Sequence, residues 1–285
     1  MPDWENLRHF VTLAREGSLS AAARVLRVDH ATVARRVAAL ENETGMKLVD
    51  RRARSYALTE IGRRVAATAA PMEDAAFAVE RAALAAKPGL RGEITISSGP
   101  SLTNALIAPQ LFRLRQRHPG IRLTLLGETR AASLNRREAD IAVRLSRPIE
   151  PGLIARKVGH FGFSLYGSPQ YLKDTPPSAF EFVAYDRSMD DSPQQKWLKA
   201  ILAGRAIVLL SSDLENQAAA ARCGVGLAVL PHFIGDADPH LQRCDVDSEA
   251  VGRDVWLVVH RDLRSAPVVR AVMEFLSDCL KDLRG

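Results

Sequence analysis

The sequence predicts an α/β protein in two parts, an all-α N-terminal segment that ends in a long helix and a two-lobed α/β domain behind it. Apolar residues recur at helical spacing through about the first 86 residues. After residue 92, β-rich runs alternate with helical segments. The length of 285 residues also exceeds one ordinary core, so we expect at least two domains.

The first 44 residues are predicted to form three short helices. A first helix over 4–16 carries its apolar residues on one face. A second helix over 20–26 has Ser20 as its predicted N-cap, and a third over about 30–43 has Asp29 in that role. Two short helices joined by a short turn form a helix-turn-helix, in which the second helix enters the major groove of DNA.

The third helix and the segment after it carry the candidate DNA-binding residues. If Val33, Val37 and Leu40 face the core, small, polar and cationic side chains remain on the other sides. Residues 46–58 are interpreted as a two-stranded hairpin, a wing, with arginines at its tip for phosphate contacts. An alternative is a compact helical domain with ordinary surface arginines. The candidates are His30, Ala31, Thr32, Arg35, Arg36, Arg51, Arg52 and Arg54.

Positive charge is concentrated in this N-terminal part. The net charge is +6, and residues 1–65 hold 12 Lys and Arg against 8 Asp and Glu. Most of the excess therefore lies on less than a quarter of the chain. A basic segment of this kind favours a polyanionic partner, most simply nucleic acid.

A long helix is predicted over about 60–86, with Thr59 as its cap. Its apolar and small residues recur at steps of four and three, which predicts pairing with a second copy of the chain. Pro71 removes a backbone hydrogen bond and predicts a bend or a restart. Residues 87–89 (Lys-Pro-Gly) mark a domain boundary. The seam consists of Ile61, Val65, Thr68, Met72, Ala75, Val79, Ala82 and Ala86.

The remaining chain predicts a parallel, doubly wound sheet in two lobes. The second lobe begins near Phe161, and a last helix over about 266–283 is expected to return to the first lobe. Two crossovers would then leave a cleft, and ligands of such sheets bind at the carboxyl ends of strands. The first lobe is predicted to contain a strand at 93–98, a helix at 102–117, a strand at 121–127, a helix at 132–139 and a strand at 140–145.

Several classes of site are absent from the sequence. Cys223, Cys244 and Cys279 are too widely spaced for a disulfide framework or a zinc knuckle, and a redox switch between Cys223 and Cys244 is the alternative to inert thiols. No carboxylate pair, catalytic triad order or phosphate-binding glycine loop is present. We therefore expect neither an enzyme nor a cofactor. No membrane-spanning run or secretory signal occurs, which predicts a cytoplasmic protein without membrane contact.

Over essentially its whole length the chain resembles the LysR-type transcriptional regulators. The residues that carry the resemblance are LRHFVTLAREGSLSAAARVLRVDHATVARRVAALENETGMKLVDR and LTEIG, then EADIAVRL, LYGSPQYL and CGVGLAVLP. The resemblance implies a winged helix-turn-helix domain at 1–58 and a dimerising linker helix at 59–88. It also implies an effector-binding domain at 89–285, of the periplasmic-binding-protein type. The lobes of that domain would be about 89–160 plus 265–285, and about 161–264.

The resemblance also implies partners and sites. Such proteins are homo-oligomers, usually tetramers, that bind double-stranded DNA near a promoter, with RNA polymerase as a further partner. A small molecule bound in the cleft between the lobes changes how the oligomer binds DNA, and so switches transcription. Arg35 matches the arginine most expected to contact DNA, and Arg51 matches the wing arginine. A small organic anion is our guess for the effector, and Arg144 pairing with Glu128 or Asp140 is the alternative. The expected effector site is Ser98, Ser101, Leu102, Thr103, Arg144, Ser211, Ser212 and Asp213.

The sequence departs from the family pattern in the recognition helix. His30 stands where a glutamine able to bond adenine is usual, and Ala34 replaces a common serine. Val49 replaces an aromatic residue after the third helix. We therefore expect a different base preference, although His30 as a solvated surface residue is the alternative. A solute-binding module would share the two-lobed cleft, but the attached helix-turn-helix argues against that class.

Overall fold

The computed structural model of the chain describes residues 1–50, 56–87, 89–128, 132–245 and 251–283. Contacts divide the chain into two units, residues 1–83 and 84–285. Each unit has its own hydrophobic core, so the two-part organisation predicted from periodicity has a physical basis in packing.

Three helices form the core of the first unit: α1 (Trp4–Glu16), α2 (Leu19–Leu26) and α3 (His30–Thr44). Gly17 and Gly45 end α1 and α3 in the left-handed conformation that glycine adopts without strain. The apolar positions predicted from periodicity are buried between the helices. The fully buried side chains include Phe10, Leu13, Ala22, Val33, Val37 and Leu40.

The N-caps of α2 and α3 were predicted with unequal success. Asp29 caps α3 as expected, because its carboxylate accepts a hydrogen bond from the Thr32 backbone N–H at 2.6 Å. The prediction that Ser20 caps α2 is wrong. Ser18 has the extended backbone of an N-cap, and its hydroxyl accepts from the Ala21 N–H at 3.2 Å. Ser20 lies inside the helix, because the chain turns directly from Gly17 into it.

The predicted hairpin follows α3. Strand β1 (Val49–Asp50) pairs antiparallel with β2 (Ala57–Leu58). The tip arginines Arg51, Arg52 and Arg54 lie outside the described residues.

The long helix α4 spans Glu60–Ala85. Thr59 caps it as predicted, since its hydroxyl accepts from the Gly62 N–H at 2.9 Å. The helix does not restart at Pro71, contrary to one of the two outcomes expected there. Pro71 is exposed, so the backbone group that loses its partner is open to water.

The second unit is built on one mixed sheet, with strand order β4-β3-β5-β11-β6-β9-β7-β8 and β10 paired to β6. The expected parallel pairs occur inside each lobe, but the strands that join the lobes are antiparallel, so the purely parallel sheet was wrong. The strands are β3 (Gly92–Ser98), β4 (Ile121–Gly127), β5 (Ile141–Arg144), β6 (Leu153–Gly167), β7 (Phe182–Ala184), β8 (Ile207–Leu210), β9 (Leu227–Pro231), β10 (Gln242–Cys244) and β11 (Val251–His260).

Two helices predicted in the first lobe differ from the observed chain. The helix expected over 102–117 is divided into a short α-helix, a π-helical turn, a 3₁₀ turn and a second α-helix. Pro109, which has no N–H to donate, lies at the division. Residues 132–139 form turns rather than a helix, and Arg137 has a left-handed backbone that interrupts helical bonding.

The remaining helices cover both faces of the sheet. The last of them returns to the first lobe and packs against β3, as predicted. The helices are α5 (Pro100–Leu102), α6 (Leu111–Arg117), α7 (Pro169–Asp174), α8 (Pro193–Ile201), α9 (Leu214–Arg222), α10 (His232–Gly235) and α11 (Pro267–Cys279). Single 3₁₀ turns lie at Pro177–Ala179, Arg187–Met189, Arg261–Leu263 and Lys281–Leu283.

The long strands β6 and β11 are the two predicted crossovers. They run antiparallel from the Leu153–His260 pair to the Phe163–Val251 pair. Strand β5 ends beside Trp256, at the middle of β11, and β9 ends beside Phe163. The strands of each lobe therefore point their carboxyl ends toward the other lobe, which is the arrangement that forms a ligand cleft.

Candidate DNA-binding surface and effector cleft

Helix α3 presents a buried face and an open face. Val33, Val37 and Leu40 are fully buried, whereas Arg35 is exposed. The Arg35 guanidinium makes no hydrogen bond or ion pair with any residue that the structure describes. Of the other candidates, His30 and Ala31 are exposed and Thr32 is half-buried.

The start of α3 is fixed by its cap. The backbone N–H and the hydroxyl of Thr32 both donate to the Asp29 carboxylate, and they hold the pKa of Asp29 below its usual value. The carboxylate therefore stays ionised and keeps the first turn ordered. That turn carries His30 and Ala31, so the cap determines how these two side chains are presented.

Arg36 differs from its neighbour Arg35. Its guanidinium donates to the Asn6 side-chain oxygen at 3.2 Å, and the Asn6 amide in turn donates to Glu43 at 2.6 Å. Arg36 thus joins α3 to α1 in the described structure. Adjacent residues of a helix point about 100° apart, which explains why one arginine is engaged and the next is free. A DNA contact by Arg36 stays a prediction.

A buried carboxylate that the sequence analysis did not single out holds the wing against α3. Glu41 is only 4% exposed, and its Oε1 accepts from the backbone N–H groups of Leu48 at 2.8 Å and Val49 at 3.1 Å. The Lys47 ammonium lies 3.6 Å from its other oxygen. The sequence held a signal, since Glu41 follows Val37 by four residues and so falls on the buried face.

A second buried ion pair connects α1 to the long helix. The Arg15 guanidinium lies 2.6 Å from the carboxylate of Glu73, and both side chains are largely removed from solvent. Arg15 also pairs with Glu16 at 2.9 Å. These contacts fix α4 to the helix-turn-helix, and no pattern in the sequence indicated them.

The predicted seam of α4 is open to solvent. Val79 is 71% exposed, and Ile61 and Met72 are nearly half exposed. Of the remaining seam residues, Thr68, Ala75, Ala82 and Ala86 are exposed, and Val65 is half-buried. A row of apolar side chains in this state is typical of a surface that another helix covers.

In the first lobe, most of the expected effector residues use their polar groups locally. Ser98 is buried, and its hydroxyl donates to the Gly99 carbonyl at 3.4 Å. The Thr103 hydroxyl donates to the same carbonyl at 3.1 Å. Leu102 is buried, whereas Ser101 is partly exposed beside them. Of these residues, Ser101 therefore has the hydroxyl best placed for a ligand.

Arg144 ends β5 at the edge that faces the second lobe. Its guanidinium donates to the Ser97 hydroxyl at 3.1 Å and to the Ala132 carbonyl at 2.9 Å. Asp140, one of the acids considered as its partner, lies 3.4 Å from Arg137 and accepts from the Thr95 N–H at 2.9 Å. The neutral oxygens of Ser97 and Ala132 thus orient the Arg144 guanidinium.

In the second lobe, the expected residues surround the start of α9. Asp213 caps this helix by accepting from the Glu215 N–H at 2.7 Å. The Ser211 hydroxyl donates to the Asp213 carbonyl at 3.2 Å, and Ser212 is exposed. The side chains of Ser211 and Asp213 are therefore engaged in hydrogen bonds within the turn, while Ser212 is exposed to solvent.

The sequence analysis missed two residues of the second unit, Arg253 and Tyr185. Arg253, on the crossover β11, donates to the Leu145 carbonyl of the first lobe at 3.1 Å, and burial lowers its pKa. Burial raises the pKa of Tyr185 to about 12, and the Asp213 charge adds to the rise while Arg253 opposes it. These interactions bring Arg253, Tyr185 and Asp213 within electrostatic reach of each other. The sequence showed only an arginine before an apolar run.

The structure also bears on metal sites and on membrane spans. In the part of the chain that the structure describes, no group of three or more His, Cys, Asp and Glu side chains is arranged to hold a metal ion. Among the same residues, no helix combines the length and the apolar character needed to cross a membrane.

Comparisons with known proteins agree with this architecture. Residues 4–63 match the model of the bacterial regulatory helix-turn-helix protein, lysR family, and residues 87–280 match the LysR substrate binding domain. The mau operon transcriptional activator of Paracoccus denitrificans is 28% identical over 97% of this chain and 96% of its own. The transcriptional regulator CrgA of Neisseria meningitidis is 32% identical over 82% of this chain and 81% of its own.

Among solved structures, the full-length virulence activator AphB of Vibrio cholerae is similar to this chain with a TM-score of 0.64. The identity is 22%, and the alignment covers 96% of this chain and 98% of AphB. At that identity the likeness concerns the fold. The two family models cover most of the sequence, in the order in which the helix-turn-helix and the two-lobed domain occur. The chain therefore belongs to the LysR family of bacterial transcriptional regulators, with a helix-turn-helix DNA-binding domain and a substrate-binding domain.

Proposed function

We propose that α3 reads the major groove of a specific operator through Arg35, and that a ligand between the two lobes controls this binding. The observation that carries the proposal is the state of Arg35. It is exposed and unpaired within the described residues, on a helix whose opposite face is buried. A free guanidinium on a rigid helix is suited to the bidentate contact with guanine that is common in specific recognition.

The surrounding candidates have different roles in this proposal. His30, Ala31 and Thr32 approach base edges from the first turn of α3, because the N-terminal residues of a recognition helix lie deepest in the groove. Arg51, Arg52 and Arg54 of the wing contact phosphates. Arg36 supports α3 through Asn6 and contributes long-range attraction to the DNA.

Two copies of the chain pair through α4 in this proposal, and two such pairs form a tetramer. The exposed seam around Val79 supports the pairing. The winged domain at 1–58 is then held by the linker helix at 59–88, and the remaining residues sense the ligand. When two helix-turn-helix domains are joined, the second contact with DNA becomes intramolecular. This raises the overall affinity for DNA far above that of one domain.

The ligand in this proposal is a small organic anion that binds where the lobes face each other. Ser101, Ser212, Arg144 and Arg253 are the groups that favour such a ligand. A ligand that binds one arrangement of the lobes more tightly shifts the oligomer toward that arrangement, and so changes how the oligomer binds DNA. We further propose that the protein is cytoplasmic, works with RNA polymerase, needs no cofactor and performs no catalysis.

Fluorescence anisotropy with the DNA that flanks this gene tests the proposal. The full chain is titrated into the flanking duplex and into a random duplex, at two salt concentrations. We expect tight binding to the flanking DNA, and a much weaker, strongly salt-dependent binding to the random duplex. Equal affinity for both duplexes at both salt concentrations would show a basic patch without sequence recognition.

A further inference from the structure

The first lobe contains a groove at the edge opposite the cleft. It lies between β6, β11 and α11, and its volume is about 720 Å³. Val259 on its floor pairs with Ile141, the first residue of β5, whereas the cleft lies at the other end of that strand. The groove is therefore separate from the effector site proposed above.

The floor of the groove is apolar. Leu257, Val259 and Val269 form its buried base, and Ile154 and Met273 are partly exposed above them. Leu257 and Val259 are alternate residues of β11, so their side chains lie on the same face of the strand, and Val269 of α11 completes the base. A ligand seated there would bury apolar surface, which favours a hydrocarbon or aromatic body.

The rim of the groove is cationic. Four exposed arginines border it, Arg156, Arg261, Arg264 and Arg270, and Glu274 is its one acidic lining residue. The guanidinium groups of the four arginines form no hydrogen bond or ion pair with another residue in the described ranges. The other arginines of this unit discussed above, Arg144 and Arg253, are bonded to oxygens of the protein.

Four unpaired cations around one concavity repel each other, and a bound anion removes this repulsion. The apolar floor also distinguishes the groove from a phosphate-contact surface for DNA, which needs no hydrocarbon base. We propose that this groove is a second ligand site of the protein, and that it binds organic anions with a carboxylate or phosphate head and an apolar body. The volume is within the usual range of small-molecule pockets.

In such a complex the head group accepts hydrogen bonds from the rim guanidinium groups, while the apolar body covers Val259 and Met273. Charge-assisted hydrogen bonds are stronger than neutral ones. Affinity therefore depends on both parts of the ligand, and it falls as salt screens the exposed arginines.

Isothermal titration calorimetry on the full chain without DNA tests this proposal with four probes. Octanoate and octyl phosphate carry the head and the body, octanamide has the body without charge, and acetate has the head alone. We expect the two octyl anions to bind, with the tighter one identifying the preferred head, and octanamide and acetate to bind at least about tenfold more weakly. Equal binding of octanoate and octanamide would overturn the proposal.

Three variants locate the binding. The double variant Arg261→Gln and Arg264→Gln is expected to weaken octyl-anion binding about tenfold or more, whereas Arg136→Gln, an exposed arginine elsewhere in this lobe, leaves it unchanged. Ser101→Tyr, which fills the proposed effector cleft, is also expected to leave it unchanged. A loss confined to Ser101→Tyr would place the anion in the cleft and refute the groove. Weaker DNA binding of the double variant, with no octyl-anion binding, would identify a DNA contact instead.

The calorimetric titrations contain no DNA, so a failure to bind octyl anions would leave the operator binding proposed for α3 untouched. Failure of operator binding would likewise leave the groove intact.

Discussion

Arg35 of α3 and the arginines of the cleft are the same residue type in opposite states. Arg35 is exposed and has no partner in the described structure. Arg144 and Arg253 are each bonded to carbonyl or hydroxyl oxygens near the carboxyl ends of strands. In the function proposed above, Arg35 meets a long polyanion and can stay free, whereas the two cleft arginines are oriented before their ligand arrives.

This difference has an energetic reason. DNA offers many phosphates and base edges, so a mobile guanidinium finds an acceptor at little cost in geometry. A small ligand offers one or two acceptors, and ordering a long side chain at the moment of binding would reduce its affinity. The bonds from Arg144 to the Ser97 hydroxyl and the Ala132 carbonyl supply this ordering within the folded chain.

The largest effect should come from the long helix, because in the proposed dimer Arg35 contacts DNA from both copies of α3. We expect Val79→Glu to lower the affinity for the flanking DNA by about 100-fold or more, since it places a charge in the apolar seam and separates the two helix-turn-helix domains. Anisotropy measures the affinity, and light scattering measures the mass of the particle.

Ala67→Glu is the matched control, because Ala67 is exposed on the same helix but outside the seam. It should retain both the mass and the affinity. A Val79→Glu protein that still dimerises and binds normally would show that α4 is not the dimer contact.

The next effect separates the free arginine from its engaged neighbour. We expect Arg35→Ala to cost roughly 1–3 kcal/mol of binding to the flanking DNA, the range for one good base contact. Arg36→Ala should weaken DNA binding less, and should instead lower the free energy of unfolding by roughly 1 kcal/mol, because Asn6 loses its partner. Anisotropy and urea denaturation measure the two quantities.

If Arg35→Ala lowered binding to random DNA as much as to the flanking DNA, Arg35 would neutralise phosphate only. The contrast with Arg36 would then reflect position on the helix and not base recognition.

In the cleft, we expect the substitution of an arginine to lower the free energy of unfolding more than the substitution of Arg35 does. We expect Arg144→Ala to lower the free energy of unfolding by about 1–2 kcal/mol, since the buried Ser97 hydroxyl and the Ala132 carbonyl lose a donor. Arg35→Ala should change stability by less than about 0.5 kcal/mol, as an exposed substitution. Equal stability of the two variants in urea would contradict the distinction between free and pre-oriented arginines.

Much of the first unit could be predicted from sequence, because its signals are local. Asp29 and Thr59 are N-caps whose effect spans three residues, and the burial of Val33, Val37 and Leu40 follows from one helical period. The error at Ser20 arose because Ser18 offers the same chemistry two residues earlier. Sequence cannot rank two serines whose difference lies in the backbone angles of the preceding turn.

The second unit was less predictable, because its site depends on long-range contacts. Arg253 reaches Leu145 across more than a hundred residues of chain, and no local pattern encodes that pairing. The helices expected over 102–117 and 132–139 failed where Pro109 and the left-handed Arg137 oppose helical bonding. The antiparallel crossovers were also missed, since alternation of strands and helices does not fix strand direction.

The smallest effect concerns the pH dependence of the cap that presents α3. Hydrogen bonds from Thr32 lower the pKa of Asp29 in the folded chain, so its stabilising effect is complete above the unfolded value, near 4. It is lost as the pH falls through the lower folded value. Asn caps a helix about as well as Asp but has no charge to titrate. We therefore expect Asp29→Asn to leave stability near neutral pH almost unchanged, and to flatten the loss of stability below pH 4. Urea denaturation of the two proteins across that range measures the slopes. Equal slopes would mean that the first turn of α3 does not depend on the charge of its cap, just as the cleft arginines are oriented by neutral oxygens.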